Sequence, residues 1–482
     1  MNQFTTTSFN DVRTTFQNIW GYEDFRPPQG EIIQNLLAKK DALIIMPTGG
    51  GKSICFQLPA LLQTGLTLVV SPLVALMENQ VQELRSLNLS AALLHSELPS
   101  FKRRQTLLAL DLQQLRLLYL SPETLLSAPV WKILCQPQLV INGLILDEAH
   151  CLVQWGETFR PTYRRLGAVR PALLKSKPPG TKIALAAFTA TADPPAQKII
   201  KETLQLQQPA IFQMNPYRSN LNLSVRIAWT PRGRKQKLLK FIQDRPKQTG
   251  LVYVRTRRDS ENLAVWLQEV GLGTASYHAG LLAEERRTVE ADWLSGKIPF
   301  VVCTSAFGMG INKSDVRWVV HFHAPLLLSE YVQEIGRAGR DGKPSDTLTL
   351  MSEPTGWLDP EDQQRRRFFE NRVRSLQIAA QQLVKKLPPQ GEVNAVAQQF
   401  PDGAIALSLL HSAGQLNWLD PFHYSIVKSV QNQPLKELVA AKQMIQYLTT
   451  KQCRWQFLLN AFGFDKEGAN LRCGHCDNCR RV

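Results

Sequence analysis

The chain has 482 residues, which is long enough for roughly three domains that each bury a core of their own. Its 56 Lys and Arg residues outnumber its 40 Asp and Glu residues and give a formal net charge of +16, so nucleic acid is the first candidate partner. No apolar run approaches the length of a membrane-spanning helix, and the start MNQFTTTSFN lacks the features of a secretory signal. The sequence therefore predicts a soluble, non-exported protein with reduced thiols and argues against a membrane partner.

Short β-rich runs alternate with helix-compatible segments over most of the chain. Predicted strands lie at residues 43–46, 66–71, 117–120, 144–147 and 183–189 and, after a helix at 196–204 and a connector near 215–220, at 251–254, 276–278, 301–304, 319–322 and 347–350. Such alternation is typical of parallel α/β sheets. The sequence therefore predicts two α/β lobes, residues 1–210 and residues 211–352.

The strand signals fade after residue 353. Residues 363–386 are charged and helix-like, and their crowded arginines leave two interpretations open, a solvated helix face or a DNA contact. Residues 388–420 alternate short helical patterns with turns and precede a strand-like run at 422–427, an order similar to a helix-turn-helix with a wing. We therefore expect a helical or winged-helix-like segment over residues 353–440 and a final module over residues 441–482.

A glycine-rich loop stands between the first predicted strand and a helix. Residues 46–53 read MPTGGGKS, in which Gly49, Gly50 and Gly51 let the backbone approach an anion at the helix N-terminus. Lys52 would reach the β and γ phosphates, and the Ser53 hydroxyl would hold Mg²⁺. Met46 occupies a position where the strict phosphate-loop pattern has glycine, so the match is to the looser form TGxGKS, which begins at Thr48. On its own the run could be a chance glycine turn.

The tetrapeptide DEAH follows the fourth predicted strand. Asp147 is interpreted as a second anchor for Mg²⁺, and Glu148 as the residue that orients the attacking water. An acidic pair at the end of a strand, about a hundred residues after a glycine loop, indicates a nucleoside triphosphate site. ATP and Mg²⁺ are therefore the expected cofactors.

Two arginines in the second lobe suit the same chemistry. Residues 333–340 read QEIGRAGR and place Arg337 and Arg340 three positions apart, so that on one helical turn both would face the same cleft. The guanidinium fork matches phosphate oxygens and keeps its proton, which suits it to stabilise charge on a transferring γ phosphate. Gln333 is assigned to the same catalytic group.

Four of the eight cysteines have metal-ligand spacing. Cys473, Cys476 and Cys479 are separated by two-residue gaps, and Cys453 lies upstream. Four thiolates form a tetrahedral zinc site, whose expected role is structural because the tail is too short for a core of its own. His475, between two of the ligands, is interpreted as a bystander.

The ordered set of motifs resembles superfamily 2 helicases, and specifically the RecQ-type DNA helicases. The resemblance covers roughly residues 10–352 and the cysteine tail. Its segments are residues 21–29 (GYEDFRPPQ), 46–57, 70–81, 121–125, 147–167, 188–192, 276–281, 304–313 and 331–342. The family implies two tandem RecA-like lobes and ATP-dependent unwinding of DNA, 3′ to 5′, in recombination and repair.

The resemblance also implies roles for individual residues on the nucleotide side. Tyr22, Arg26 and Gln29 would recognise adenine, where the Gln29 amide can offer a donor and an acceptor to the base edge. Thr189 and Thr191 resemble the hydroxyl pair that links the two halves of the cycle in this superfamily.

In the family, an aromatic-rich loop after the acidic tetrapeptide senses single-stranded DNA. Trp155 and Phe159 would stack on bases, and Arg160, with Arg164 and Arg165, would meet phosphates. Glu157 replaces a common histidine and weakens the case for strong coupling.

The expected partners are single-stranded and duplex DNA and DNA-repair proteins, with ATP as the small-molecule substrate and a cytoplasmic, chromosome-associated location. Three alternatives remain open at this point. They are a DNA-stimulated ATPase or translocase without strand separation, a zinc-stapled DNA-binding or annealing protein with an idle nucleotide site, and an RNA helicase.

Overall fold

The computed structural model describes residues 9–47, 49–154, 160–308, 313–427 and 436–480. Contacts divide the chain into two compact units. The first unit comprises Met1–Met46, Gly50–Met214 and Ser375–Gln433, and the second comprises Pro47–Gly49, Asn215–Arg374 and Pro434–Val482. Among the described residues no helix combines the length and apolar character that crossing a membrane requires.

The first lobe is a seven-stranded parallel sheet. Its strands are β1 Ala42–Ile45, β2 Leu66–Val70, β3 Ala91–Leu94, β4 Leu117–Leu120, β5 Ile141–Leu146, β6 Ala184–Thr189 and β7 Ala210–Gln213. They are ordered β3-β4-β2-β5-β6-β1-β7, and every neighbouring pair is parallel. The six strands β1 to β6 are buried along their whole length because helices cover both faces, as a near-continuous apolar sequence requires.

Helices connect these strands and cover the sheet. They are α1 Phe9–Trp20, α2 Gln29–Leu37, α3 Lys52–Leu62, α4 Val74–Ser86, α5 Ser100–Asp111, α6 Pro122–Leu125, α7 Ala128–Leu134, α8 His150–Gln154, α9 Val169–Lys175 and α10 Pro194–Thr203, with a 3-10 helix at Pro161–Ala168. The start of α10 shows how the sequence fixes such an end. The Asp193 side chain accepts a hydrogen bond from the Ala196 N–H, and proline follows at the first helical position.

The second lobe is a six-stranded parallel sheet in the order β10-β11-β9-β12-β13-β8. Its strands are β8 Leu221–Ala228, β9 Gly250–Tyr253, β10 Thr274–Tyr277, β11 Phe300–Cys303, β12 Trp318–His321 and β13 Ser345–Ser352. Its helices are α11 Pro231–Gln243, α12 Arg257–Glu269, α13 Ala283–Leu294 and α14 Leu328–Ile335. Two tandem parallel-sheet lobes of this kind confirm the predicted fold class.

Three strands of the two lobes, β3, β7 and β8, were not predicted from the sequence, and one of them moves a domain boundary. Since β7 pairs with β1 and the Met214 N–H donates to the Ile45 carbonyl at 2.9 Å, the first lobe extends beyond the predicted end at residue 210. The second lobe accordingly begins at Asn215.

The segment after the second lobe begins with a long helix and continues with alternating helices and strands. Its elements are α15 Glu361–Val384, β14 Gln390–Glu392, α16 Val393–Gln399, α17 Gly403–Ser412, β15 Leu416–Trp418 and β16 His423–Ile426. The strands form an antiparallel sheet in the order β14-β16-β15. Helix, strand, two helices and a β-hairpin is the order of a winged helix, which is the arrangement hypothesised for part of residues 353–440.

The final module contains α18 Lys436–Thr449, α19 Arg454–Ala461, α20 Asp465–Gly468 and α21 Asp477–Arg480. The predicted boundary between residues 440 and 441 is wrong, because it cuts through α18. The module shares one hydrophobic cluster with the second lobe, in which Tyr447 and Trp455 pack with Leu221 and Tyr331.

Candidate active site and zinc centre

The glycine loop has the backbone conformation that the sequence predicts. Gly49 and Gly51 have φ angles of 87° and 76°, in the region that favours glycine. A Cβ atom on Gly51 would lie 2.2 Å from Nε2 of Gln29, so a larger residue does not fit there. Lys52 begins α3, and its Nζ donates to the Met46 carbonyl at 3.1 Å. The ammonium group is thus held over the loop at a helix N-terminus. Thr48 lies outside the described residues.

Gln29 joins the proposed adenine segment to this loop. It is 3% exposed, and its Oε1 accepts a hydrogen bond from the Arg26 N–H at 2.9 Å. Its Nε2 lies 3.3 Å from the carbonyl oxygens of Gly50 and Gly51. Both the oxygen and the nitrogen of the Gln29 amide, which we expected to hydrogen-bond adenine, therefore bond to protein groups. Tyr22 is 53% exposed and presents a free ring surface for stacking.

Asp147 and Glu148 stand at the end of β5. The Glu148 backbone has a φ of 51°, and its N–H donates to Oδ1 of Asp147 at 3.0 Å. Burial and the neighbouring Glu148 carboxylate raise the pKa of Asp147 to about 7, although the Lys52 ammonium opposes the rise. A divalent cation would compensate this buried charge, and the hydroxyl oxygen of Ser53 with the Asp147 carboxylate is an oxygen set that suits Mg²⁺. The residues present therefore fit the predicted metal.

His150 connects the catalytic carboxylate to the end of β6. Its Nδ1 lies 3.2 Å from Oε2 of Glu148 and 3.2 Å from Oγ1 of Thr189. The Thr189 hydroxyl donates to the Thr191 carbonyl at 3.1 Å and accepts from the Thr191 N–H at 3.3 Å. No role was predicted for His150, although its place in the tetrapeptide was the available signal. Glu148, His150 and the two threonines thus form one connected group.

The arginines of the expected DNA loop bond to protein groups. The Arg160 guanidinium forms two hydrogen bonds to Glu123, at 3.2 and 2.6 Å, and a third to the Pro72 carbonyl at 2.6 Å. Arg164 is 4% exposed and donates to Oγ1 of Thr203 at 3.3 Å. The expectation that Arg164 meets phosphate is therefore wrong, because the side chain is buried.

Arg165 also bonds to a protein group, because it donates to the Pro421 carbonyl at 3.1 Å. Burial lowers the pKa of its guanidinium to about 10. Trp155 and Phe159, which we expected to stack on bases, lie outside the described residues.

Arg337 and Arg340 lie in the second unit, on turns that follow α14. They are therefore not on one helical turn, because α14 ends at Ile335. Both nevertheless line one small cavity of about 10 Å³, together with Gly308 and Lys313. Arg337 donates to the Gly308 carbonyl, and burial together with the Arg337 charge lowers the pKa of Arg340 to about 10. Like charges held together in this way favour an anion as their ligand. Gln333 is half-buried on α14.

A buried ionic group fixes the helix that precedes these arginines. Glu334 accepts hydrogen bonds from Arg255 at 3.3 and 2.9 Å and lies 2.9 Å from Nε2 of His321. Although burial opposes the shift, the Arg255 and His321 groups hold the pKa of Glu334 at about 2. Sequence reasoning missed this group because its three members come from separate elements.

The four predicted zinc ligands come together in the second unit. The Sγ atoms of Cys453, Cys473, Cys476 and Cys479 all lie within 4.8 Å of one another, and the Cys473 and Cys479 sulfurs are 3.9 Å apart. Tetrahedral zinc with bonds of about 2.3 Å separates its sulfur ligands by roughly 3.8 Å. The group therefore fits zinc. His475 points elsewhere, since its Nε2 lies 3.3 Å from the Tyr217 hydroxyl.

Buried hydrogen bonds join this module to the second lobe. Asp477 pairs with Arg454 at 3.0 Å and accepts from the Val225 N–H on β8, also at 3.0 Å. The Trp455 indole donates to the Leu221 carbonyl at 3.2 Å. The zinc module is thus part of the same structural unit as the second sheet.

Residues 375–427, whose helices and strands follow the order of a winged helix, pack on the first lobe. We call them the winged-helix segment. The Trp131 and Phe422 rings meet edge to face with centroids 5.2 Å apart, beside the bond from Arg165 to Pro421. Helix α17 packs against the 3-10 helix. Its sequence GAIALSLLHS contains no Lys or Arg, and most of it is buried. In a helix-turn-helix this second helix normally reads DNA, so the segment has an unusual orientation for a DNA reader.

Family models match most of these elements. The model described as DEAD/DEAH box helicase matches residues 26–199, and that of the helicase conserved C-terminal domain matches residues 233–342. A RecQ zinc-binding model matches residues 423–480. Solved structures with similar folds include the Mycobacterium smegmatis helicase Lhr bound to ssDNA and AMP-PNP, with a TM-score of 0.58 and 19% identity over 91% of this chain and 62% of that one. Another is S. cerevisiae Dbp5 bound to RNA and ADP BeF3, with a TM-score of 0.57 and 15% identity over 73% of this chain and 91% of that one.

Curated relatives are more similar in sequence. The chain is 54% identical to the ATP-dependent DNA helicase RecQ of Synechocystis sp., over 97% of this chain and 98% of that protein. It is 38% identical to the RecQ helicase of Pasteurella multocida over 70% of this chain and 52% of that protein. It is 40% identical to the ATP-dependent DNA helicase Q5 of Rattus norvegicus over 69% of this chain and 35% of that protein. With its two helicase lobes and cysteine cluster, the chain belongs to the RecQ family of ATP-dependent DNA helicases.

Proposed function

We propose that this RecQ-family enzyme moves 3′ to 5′ along one DNA strand and unwinds DNA in recombination and repair. The observation that carries the ATPase part is the group at the carboxyl edge of the first sheet, where the Lys52 loop, Asp147 and Glu148, and the Thr189 hydroxyl come from adjacent strands. Polarity and pathway follow from membership of the family alone.

For hydrolysis, Lys52 contacts the β and γ phosphates; Ser53 and Asp147 would hold Mg²⁺, which would supply positive charge to the phosphate oxygens. Glu148 orients a water molecule whose oxygen attacks the γ phosphorus. The bond from that phosphorus to the bridging oxygen breaks, and ADP and phosphate leave. His150 positions Glu148 through the 3.2 Å contact to its carboxylate.

Further roles follow from the same proposal. Arg337 and Arg340, with Gln333, neutralise charge on the γ phosphate, because the guanidinium fork matches phosphate oxygens and keeps its proton. Tyr22 and Arg26 bind adenine, and Gln29 transmits its position to the Gly49–Gly51 loop.

On the DNA side, Trp155, Phe159 and Arg160 are proposed to contact a single strand. Binding by Arg160 requires release of at least part of its pairing with Glu123. DNA-repair proteins as partners and a cytoplasmic, chromosome-associated location complete the proposal.

ATP turnover in a Lys52→Ala variant tests the nucleotide site. We expect a fall of at least a hundredfold, roughly 3 kcal/mol in transition-state stabilisation, with an unchanged circular dichroism spectrum. Lys40→Ala is the matched control, because Lys40 precedes β1 and so lies at the opposite edge of the sheet. Unchanged turnover in Lys52→Ala would defeat the assignment.

Strand displacement tests the reaction. A duplex with a 3′ tail should be unwound in the presence of ATP and Mg²⁺, and one with a 5′ tail should not. Turnover that single-stranded DNA stimulates, without displacement of either substrate, would instead identify a translocase. Stimulation by RNA rather than DNA would identify an RNA helicase.

A further inference from the structure

Helix α15 carries an unusual set of exposed side chains. After the acidic first turn with Glu361 and Asp362, the helix contains five arginines and a single acidic residue, Glu370. On a mixed solvated face, charges of opposite sign alternate and pair, which is not the pattern here. The crowding therefore requires another explanation.

Only one of these arginines is used by the fold in the described part of the chain. Arg365 lies 3.4 Å from Glu361, 3.6 Å from Asp259 and 3.8 Å from Asp362. Arg367, Arg372 and Arg374 are exposed and form no ion pair with any described residue. Their charge is thus left for a ligand rather than for the protein.

Aromatic rings lie beside these free charges. Phe368 is 69% exposed, on the turn between Arg367 and Arg372. Trp357, in the turn before the helix, is 85% exposed. That turn lies against the start of the helix. Gly356 is so close to Gln363 that a Cβ atom placed on it would be 2.8 Å from the Gln363 side chain. Exposed rings beside guanidinium groups offer surfaces on which nucleic-acid bases can stack.

Helical geometry places these residues in two stripes on the exposed half of the helix. Arg367 and Arg374 are seven positions apart, and Phe368 and Arg372 are four positions apart, so each pair is aligned along the helix, while Arg372 and Arg374 belong to different stripes. Val373 and Ala380 are buried on the other half. We call the exposed set Arg367, Phe368, Arg372 and Arg374 the arginine face.

We propose that the arginine face binds single-stranded DNA, with its guanidinium groups on backbone phosphates and a base stacked on Phe368. Cations with an aromatic platform are the combination that holds single strands without regard to sequence. A face with this charge does not suit a basic or neutral partner. The inference takes its ligand from the proposed helicase function, but it concerns other residues than Trp155, Phe159 and Arg160.

Fluorescence anisotropy with a labelled (dT)20 strand and a blunt duplex of the same length tests the proposal. In the full-length protein, R372Q/R374Q should weaken single-strand binding about tenfold at low salt. It should also reduce the slope of log affinity against log salt by about 0.7 for each lost contact, or about 1.4 for the pair. The charge-retaining R372K/R374K should stay within about twofold of the parent.

Three further variants separate the loss of a DNA contact from the loss of overall charge. Lys198→Gln with Lys201→Gln removes the same charge from α10, where Lys198 already pairs with Glu202, and should leave the slope unchanged. Phe368→Leu should weaken binding, whereas Phe368→Tyr should retain it, because only the second keeps a ring. Basal ATP turnover without DNA should be the same in all of them.

Equal binding and equal salt slopes in R372Q/R374Q and the parent would overturn the proposal. A loss confined to the duplex would overturn the assignment to single strands. Failure of the parent protein itself to bind either DNA would count against the helicase function rather than against this face, so the two ideas can fail separately.

Discussion

The zinc module and the winged-helix segment attach to different lobes in different ways. The zinc module shares its hydrophobic cluster with the second lobe, so that Cys453 and Cys476 pack in the same core as Leu221 and Val225 of β8. The winged-helix segment has a cluster of its own, built from α15 to α17 and its small sheet. It contacts the first-lobe cluster through the partly buried Phe422.

The zinc module is thus attached through a shared core, and the winged-helix segment through a contact between two separate cores. A module that shares a core with a lobe cannot leave it without exposing that core, whereas a segment with its own core can undock and stay folded. We therefore expect changes in the zinc module to affect folding of the second lobe. Changes at the docking contact should affect activity of the first lobe with little loss of overall stability.

Removal of zinc should have the largest effect. Cys476→Ser, or chelation of the parent protein, should lower the free energy of unfolding of the second unit by several kcal/mol, because metal binding contributes directly to folding. Thermal unfolding followed with metal analysis measures this. Cys135→Ser is the control, since Cys135 lies in the first lobe and is not a ligand. A Cys476→Ser protein with parental stability would contradict a structural zinc site.

Breaking the ionic link of the zinc module should have the next largest effect. Asp477→Asn removes a buried carboxylate that pairs with Arg454 and accepts from the Val225 N–H. Leaving the buried guanidinium uncompensated should cost about 3 kcal/mol, measured by urea denaturation. Asp465→Asn, in the exposed part of the same module, should cost less than about 0.5 kcal/mol. Equal effects of the two changes would mean that the link is not part of the core.

Loss of the docking contact should have a smaller effect on stability. Phe422→Ala should cost about 1 kcal/mol, because an edge-to-face pair with Trp131 is lost at a partly buried site. Leu419→Ala, on the same turn but 48% exposed, is the matched control.

The more informative readout of Phe422→Ala is the DNA dependence of ATP turnover. The 3-10 helix against which α17 packs follows the loop that contains Trp155 and Phe159. We expect the DNA concentration for half-maximal stimulation to change while turnover without DNA is retained. An unchanged DNA dependence would show that docking does not influence that loop.

Two titratable groups, His411 on α17 and Glu334 on α14, should contribute to stability in different pH windows. Burial, with a contribution from the Arg164 charge, lowers the pKa of His411 from 6.5 to about 4. The unfolded chain then binds a proton that the folded protein does not, so stability is lost as the pH falls from 6.5 to 4. Glu334, with its pKa lowered from 4.5 to about 2, contributes stability that is present above pH 4.5 and lost below it.

A residue at position 411 that does not titrate should remove the part of the pH dependence that His411 causes. In His411→Phe, which keeps a ring but does not titrate, the loss of melting temperature between pH 6.5 and pH 4 should be smaller than in the parent. Identical pH profiles would show that His411 does not cause the dependence.

Local patterns predicted most of the sheets and the chemical sites. Apolar runs flanked by helical segments located most strands. Lys52, Asp147 and the cysteine cluster could be assigned because each belongs to a short motif whose residues are close in sequence. The strands that were missed show the limit. The run AALL of β3 is short and favours a helix as much as a strand, and β7 is only partly buried.

Long-range packing could not be predicted. Nothing near Arg164 or Arg165 in the sequence shows that one is buried beside Thr203 and that the other bonds to Pro421, which is 256 residues away. The pattern indicated a wing but not the surface against which it packs. The group of Arg255, His321 and Glu334 likewise exists only after three separate elements have come together.

The return of the chain to its first unit has a consequence for synthesis. The first unit contains Gly50–Met214 and Ser375–Gln433, with the second lobe between them. At ribosomal rates of about 5 to 20 residues per second, roughly 8 to 32 s separate the emergence of the first lobe from that of the segment that docks on it. During that interval Trp131 and Arg165 present an open surface to neighbouring nascent chains. A winged-helix segment from a second copy can occupy it first, so crowded synthesis should favour dimers that exchange this segment.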